Sequence, residues 1–453
     1  MPASITIVTA VIIGAVLIAL AVLRWPIYAL VSWVIASVVL HEYVLFPDAS
    51  ALRVQLSQLL LAGLLLGFGI RWILRFAPSV TPGRPELLMA AFITWAVIAG
   101  FMTGTLFVEE GARTISILLN GFAIPVLILY LTRFPRQPLA TMRTASTILT
   151  VFLGYLIVTA FCEHFHLNWL VFPQYILDPS YGTHSERARG PVLNAAENGG
   201  IIAILLIVAL HRIGYAFTFP LRWWATSVLL ITGLPALWFT QTRGAWVAFG
   251  GGLVIMLLHE RRKGVVTALL SVSVIAVLLI TFLRIDVVPP RPETTEFRLG
   301  LYMESMSAFQ KHPLTGWGLG TFTSFEHLYG DFGRSSSLAE GVQHDTTVAI
   351  ATETGALGAI LYISFLIVLF RSLVRLRKSA RSCEKRDFYA VCLAALTIFV
   401  INGTFADSRY LMSQNALAFL IAGLGLAIRP DERLNPRLVV EQAAVTRQNV
   451  LAV

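Results

Sequence analysis

Apolar runs of about 20 residues recur along this chain, separated by short polar connections. Hydrocarbon offers no water to the backbone, so a run of that length is stable only as a helix, and no alternating pattern offers a barrel instead. The runs lie near 4–23, 26–46, 51–70, 86–107, 112–131, 145–165, 192–210, 223–239, 244–258, 264–284, 347–370, 388–405 and 411–428. The predicted fold class is therefore all-α: a polytopic integral membrane protein of about 12–13 transmembrane helices. At 57% hydrophobic and 13% charged, the 453 residues do not compose a soluble protein. The net charge of +9 is then read through its distribution over the loops, not as a signal for nucleic acid. The first run, Ser4 to Val22, lacks a basic leader and a small-residue cleavage site and is kept as a helix. Cys162, Cys383 and Cys392 show no CxxC spacing, so neither a disulfide frame nor a thiolate metal site is expected.

Lys and Arg close to helix ends are retained on the cytoplasmic side. One set of alternate loops holds Arg71, Arg75 and Arg84, then Arg133, Arg136 and Arg143, then Arg212 and Arg222, then Arg261, Arg262 and Lys263, and later Arg371 to Arg386. These are assigned to the cytoplasm. The other set is acidic or mixed, with Asp48, Glu109, Glu110, Asp178, Glu186 and Asp407, and is assigned to the outside. Residues 1–453 are expected to form a single membrane domain, with a large outer loop at 285–346 and a short cytoplasmic tail at 429–453. The bulk of that loop is expected to be a mobile cover.

Ionisable groups at membrane depth mark function or a structural pair. Arg187 and Arg189 precede Gly190, and Asn194, Glu197 and Asn198 share one helical face as the seventh span begins. Snorkelling arginines with an internal Glu–Arg pair would explain this cluster. Arginine on an outer loop points instead to an anion site. Arg243 sits in a connection of only a few residues, which keeps it at the bilayer surface. It reads as an interfacial anchor or, converging with a second guanidinium, as half of a phosphate clamp. In the large loop, Arg298 and Tyr302 suggest an amphipathic surface helix, and Gly316, Gly318 and Gly320 a flexible turn with no P-loop Lys behind it.

His344 lies at the mouth of the helix that Asp345 or Thr346 can cap. Glu353 is nine residues further on, about 13 Å deeper and on the opposite face, so it is not a direct partner of His344. A structural bond to a neighbouring helix, admitted by Gly355 and Gly358, is expected of it. Arg53, Gln55, Gln58, Arg113, Asp407 and Arg409 support either a site or a helix-packing network.

At these residues the chain resembles the O-antigen ligase and polymerase superfamily, membrane glycosyltransferases that take glycans from a polyprenyl diphosphate. Arg187-x-x-Gly190 with Asn194 resembles the family's Arg-x-x-Gly…Asn element, although Ala195-Ala196 stands where Pro-Asn is usual and Arg189 is a second candidate arginine. Thr242-Arg243-Gly244 is similar to its Ser/Thr-Arg-Gly element. Arg298 and His312-Pro313-Leu314 with the three glycines resemble the start of its large loop. His344, Glu353, Gly355 and Gly358 resemble its His-Asn…Glu-x-Gly-x-x-Gly element, with Asp345 in place of Asn.

The resemblance implies a GT-C-like fold in a bacterial inner membrane, with the active site facing the periplasm. It implies catalytic residues Arg187, Arg243 and His344, with Arg189, Asn194 and Arg298 as further contacts for diphosphate or sugar, and Glu353, Glu197 and Gly355 in support. It also implies inverting transfer without metal or other cofactor. The donor would be an undecaprenyl-diphosphate-linked glycan. The acceptor would be lipid A-core for a ligase or another glycan for a polymerase. His344 would act as base, orient the acceptor, or bind phosphate as a cation. A protein O-oligosaccharyltransferase is disfavoured because the chain ends soon after its last span, and a transporter because its charges collect at helix ends instead of mid-membrane.

Overall fold

The structure, a computed structural model, describes residues 2–40, 56–75, 81–106, 111–133, 137–182, 184–259, 292–321 and 344–428. The predicted span at 264–284, the middle of the large loop at 322–343 and the tail at 429–453 lie outside the described residues. The protein is an all-α polytopic membrane protein. Its helices are α1 (Pro2–Arg24), α2 (Pro26–Val39), α3 (Leu56–Ile73), α4 (Arg84–Met102), α5 (Gly111–Ser116), α6 (Ile124–Arg133) and α7 (Leu139–His164). They continue with α8 (Ala195–Ala216), α9 (Leu221–Phe239), α10 (Arg243–His259), α11 (Pro292–Lys311), α12 (Thr346–Ser379), α13 (Cys383–Gly403) and α14 (Met412–Ala427). Among the described residues seven helical stretches are long and apolar enough to cross a membrane, and four shorter apolar ones accompany them.

Burial follows composition. α8 is apolar all round and sits centrally against α7, α9, α10 and α13, and its run Ile201–Ala209 is buried throughout. α9 instead presents Trp223, Trp224 and Ile231 outward, as a helix facing lipid does. Small residues set the closest crossing, because apolar side chains gain nothing by leaving lipid for one another. Added Cβ atoms on Gly63 and Gly67 of α3 would lie 2.4 Å from Ala15 O and 2.7 Å from Ala19 O of α1.

One end of the bundle gathers the C-terminal ends of α4, α7, α9 and α13 with the N-terminal ends of α8, α10, α12 and α14. Ala188 N donates to Phe239 O at 3.1 Å there, and Thr346 Oγ1 donates to Gly403 O at 2.9 Å. A one-turn π-helix, Ile117–Ala123, bulges between α5 and α6 at this end, where Gly121 lets the Arg409 backbone come close. The opposite end is closed by Arg143 with Glu384 and by Arg133 with Glu86.

Candidate functional site

α11 packs on α12 through Leu301, Ser305 and Ala308 but leaves Leu299, Tyr302 and Met303 outward, so both of its faces are apolar and it is not the amphipathic helix expected. After Lys311 the chain turns back onto α12. Trp317 N and Gly318 N donate to the Thr352 and Glu353 carbonyls at 3.2 and 2.8 Å, and Ala356 N donates to Pro313 O at 2.8 Å. Those bonds need Gly355 in the left-handed region, at φ 70°, where an added Cβ would lie 2.1 Å from Leu314 O. Gly316, Gly318 and Gly320 also have positive φ. The turn expected to be flexible is therefore hydrogen-bonded and closely packed, and the neighbour that Gly355 admits is this turn instead of a helix. Gly358 does face a helix, with Trp95 of α4 3.3 Å from its added Cβ.

Beneath the turn lies a buried ionic network. Glu353 Oε2 accepts from Gly320 N at 2.7 Å and from Arg409 Nη1. Arg409 also donates from Nε and Nη2 to Asp407, at 2.9 Å and 2.6 Å. Burial disfavours the Arg409 cation, but the Asp407 and Glu353 carboxylates outweigh it and hold its pKa well above the ordinary value. Thr346 Oγ1 accepts from Ser408 N at 2.9 Å, tying the mouth of α12 to the same segment. Asp407 and Arg409 thus form the helix-packing network that was one of their two predicted roles.

The segment before α8 is built around Arg189, which is 1% exposed. Its guanidinium donates to the carbonyls of Ile176, Asp178 and Tyr181. The Glu163 carboxylate at the end of α7 accepts from Arg189 N and Gly190 N, each at 3.0 Å. Asn194 caps α8, its Oδ1 accepting from Ala196 N and Glu197 N at 2.9 and 3.2 Å. Among the described residues Glu197 pairs with no arginine; its Oε1 accepts from Ser413 N and Gln414 N at 2.8 and 3.2 Å and so caps α14. Asn198 Nδ2 donates to Ala188 O at 3.0 Å. The predicted polar stripe is consumed in holding this end together. Arg187 points elsewhere, its Nε 3.4 Å from Glu186 Oε1.

Arg243 opens α10 from a short turn pinned by Trp246, whose Nε1 donates to Leu237 O at 3.0 Å and whose ring stacks on Trp238. Arg243 is exposed. Partial burial depresses the pKa of Arg298, and the charge of Arg243 lowers it further. His344 is half-buried, immediately before Asp345, which caps α12 by accepting from Thr347 N at 2.8 Å and Val348 N at 3.0 Å. Burial holds the imidazole pKa of His344 below its ordinary 6.5, and Arg298 and His184 push the same way, with Asp407 opposing. Such fields fade over about a Debye length, ~8 Å, for groups open to water. The charge of Arg243 thus acts on Arg298, and the charges of Arg298 and His184 act on His344. Arg187 meets Glu186, whose Oε1 also lies 3.5 Å from His184 Nδ1.

Of the predicted site residues, the fold couples Arg243, Arg298 and His344 through their charges and sets Arg187 against Glu186, while Arg189, Asn194, Glu197, Glu353 and Gly355 are bonded into the framework that presents them. His184 and Glu163 were not predicted. The signal for His184 was its place three residues before Arg187; for Glu163 it was a carboxylate at the end of an apolar run. Among the described residues no group of three or more His, Cys, Asp or Glu is placed to hold a metal ion.

Residues 228–363 match the O-antigen ligase family. The match covers less than half of the chain, and over that segment the chain is similar to this family. The match takes in Arg243, Arg298, the glycine turn, His344 and Glu353, and Arg187 precedes it. A comparison with curated proteins gave no match.

Proposed function

We propose that the protein is a glycosyltransferase of the inner membrane that moves a glycan from undecaprenyl diphosphate to a sugar hydroxyl at the periplasmic face, joining O-antigen to lipid A-core. The observation that carries this reading is that Arg243 acts electrostatically on Arg298, and Arg298 on His344, inside the segment that matches the O-antigen ligase family. The basic loops at the opposite end of the helices support the periplasmic orientation.

The reaction is a displacement at the anomeric carbon. The acceptor hydroxyl forms the new glycosidic bond as the bond to the diphosphate oxygen breaks, and that oxygen leaves with the electron pair. Arg243, Arg298 and Arg187 meet its growing charge with donors fixed in advance. A guanidinium suits this task because it remains charged next to other cations and binds phosphate through two parallel bonds. The acceptor proton goes to His344. Its depressed pKa keeps the imidazole neutral, and hence basic, near neutral pH, and a positioned base is worth about 10²–10⁴-fold.

Reconstitution with a polyprenyl-diphosphate glycan and lipid A-core tests the reading. His344→Ala and Arg243→Ala should each abolish transfer in protein that still inserts and folds, and wild-type transfer by both would sink it. A product containing lengthened lipid-linked glycan and no lipid A-core adduct would make the enzyme a polymerase.

A further inference from the structure

The lipid-facing stripe of α7 does not stop where the helix does. Val151, Val158 and Phe165 recur at a seven-residue spacing and all lie outward, and the chain beyond extends that surface with Leu167, Trp169, Leu170 and Phe172. Trp169 is 79% exposed and Phe172 66%. Between Glu163 and Asp178 the sequence has no Asp, Glu, Lys or Arg. In water a contiguous apolar surface of this kind invites aggregation, whereas aromatic residues are enriched where acyl chains meet headgroups.

The segment also folds back along the helix it follows. Tyr155 Oη donates to Phe172 O at 2.7 Å. Tyr155 stands nine residues before the end of α7, about 14 Å along the axis, and its ring stacks on Phe152, one turn deeper. Phe172 is therefore held beside the body of a helix long and apolar enough to cross a membrane, not above its end. Val171 is buried with Cys162 and Ile176, which leaves its neighbours Leu170 and Phe172 facing away from the protein. The backbone fits the same depth. Hydrocarbon has no water to offer a carbonyl, so irregular backbone at that depth takes its donors from the protein. Gln174 Nε2 donates to Asn168 O and Val171 O at 3.2 and 2.8 Å, so that with Tyr155 the carbonyls of Asn168, Val171 and Phe172 all receive side-chain donors. Leu167 N and Leu170 N are taken by Cys162 O and Leu167 O at 2.8 and 2.9 Å.

We propose that residues 165–172 form a re-entrant segment that seats Trp169, Leu170 and Phe172 among the acyl chains of the leaflet at this end of the bundle, with bulk membrane lipid as its partner. The chain returns to the surface at Asp178, where charge reappears. Arg189 holds the carbonyls of Ile176, Asp178 and Tyr181, so the loop before α8 is fixed to this inserted segment. The proposal is independent of the glycosyl-transfer reading.

Spin-label accessibility of the full chain in phosphatidylethanolamine–phosphatidylglycerol vesicles tests it. The exposed Cys383 is replaced by serine while the buried Cys162 and Cys392 are kept. A nitroxide is then attached through Trp169→Cys, Phe172→Cys or, as the aqueous reference, Ser180→Cys. At 169 and 172 relaxation by oxygen, which partitions into lipid, should exceed relaxation by a water-soluble nickel chelate, and at 180 the order should reverse. Nickel exceeding oxygen at 169 and 172 overturns the proposal, because the segment then stands in water. Neither reagent reaching those sites overturns it too, because protein then covers the segment: access regained on dilution into excess lipid identifies a second copy, and access not regained another part of this chain. Tryptophan emission gives a reading free of labels. Lipid brominated on its acyl chains should quench the parent more than Trp169→Phe, and equal quenching of the two overturns the proposal.

Discussion

Glu353 and Arg409 form an ion pair in which neither side chain exceeds 1% exposure, and the same Glu353 oxygen accepts the Gly320 N–H at 2.7 Å. The glycine turn and the segment before α14 are thereby fastened to one carboxylate. Removing one member of a buried pair leaves an uncompensated charge and typically costs about 3–5 kcal/mol. Glu353→Ala is expected to lose stability on that scale, and Glu353→Gln, which keeps an acceptor for Gly320, to lose less. Unfolding in detergent would show it, and parental stability in Glu353→Ala would refute it.

Gly355 and Gly154 should respond to alanine with opposite signs. At Gly355 the backbone is left-handed and an added Cβ meets the Leu314 carbonyl carbon at 2.3 Å, which no side-chain rotation relieves. Gly355→Ala should cost more than about 2 kcal/mol through strain and clash. In α7 an added Cβ on Gly154 has nothing within 4 Å. Gly154→Ala should stabilise by up to about 1 kcal/mol. Paired melting curves decide, and equal shifts would mean that the turn does not sit on Gly355.

Arg187 and Arg189, two residues apart, should fail in different ways. Arg189 serves three loop carbonyls and is 1% exposed, so Arg189→Ala leaves acceptors unmet and should lower thermal stability. Arg187 faces Glu186 with its side chain 16% exposed. Arg187→Ala should lose transfer with little change in melting temperature. A melting loss equal to that of Arg189→Ala would remove Arg187 from the donor site.

The helices were legible because bilayer physics ties apolar length to structure: twelve of the thirteen predicted runs coincide with described helical segments, and the thirteenth, 264–284, lies outside the described residues. The cap by Asp345 was equally local. The partners of the buried polar groups were not legible, since they come from distant parts of the chain. Glu197 caps a helix 216 residues away, and Glu353 meets Arg409 across 56 residues. Motif spacing to Gly190 favoured Arg187 over Arg189 but could not say what surrounds each. Their difference is which carbonyls surround each, and those belong to a loop with no periodic pattern. His184 shows a related limit: its place three residues before Arg187 says nothing of His344, on which its charge acts only in the folded chain.

The depressed pKa of His344 gives the base assignment a directional test. A general base works unprotonated, so kcat/KM should fall on the acid side, centred below the ordinary 6.5, because burial, Arg298 and His184 all oppose the imidazolium. Were His344 a cationic phosphate ligand, activity would instead fall as pH rises through that value. Measuring kcat/KM from about pH 5 to 8 in His184→Asn takes away the other imidazole that acts on His344. Removing His184 also removes one of the groups depressing its pKa, so the acid limb should move slightly upward relative to the parent while staying below 6.5. Arg298→Gln should move it further, since Arg298 outranks His184 among the charges acting on the ring. A limb on the alkaline side, or one that neither substitution shifts, would take the base role away from His344.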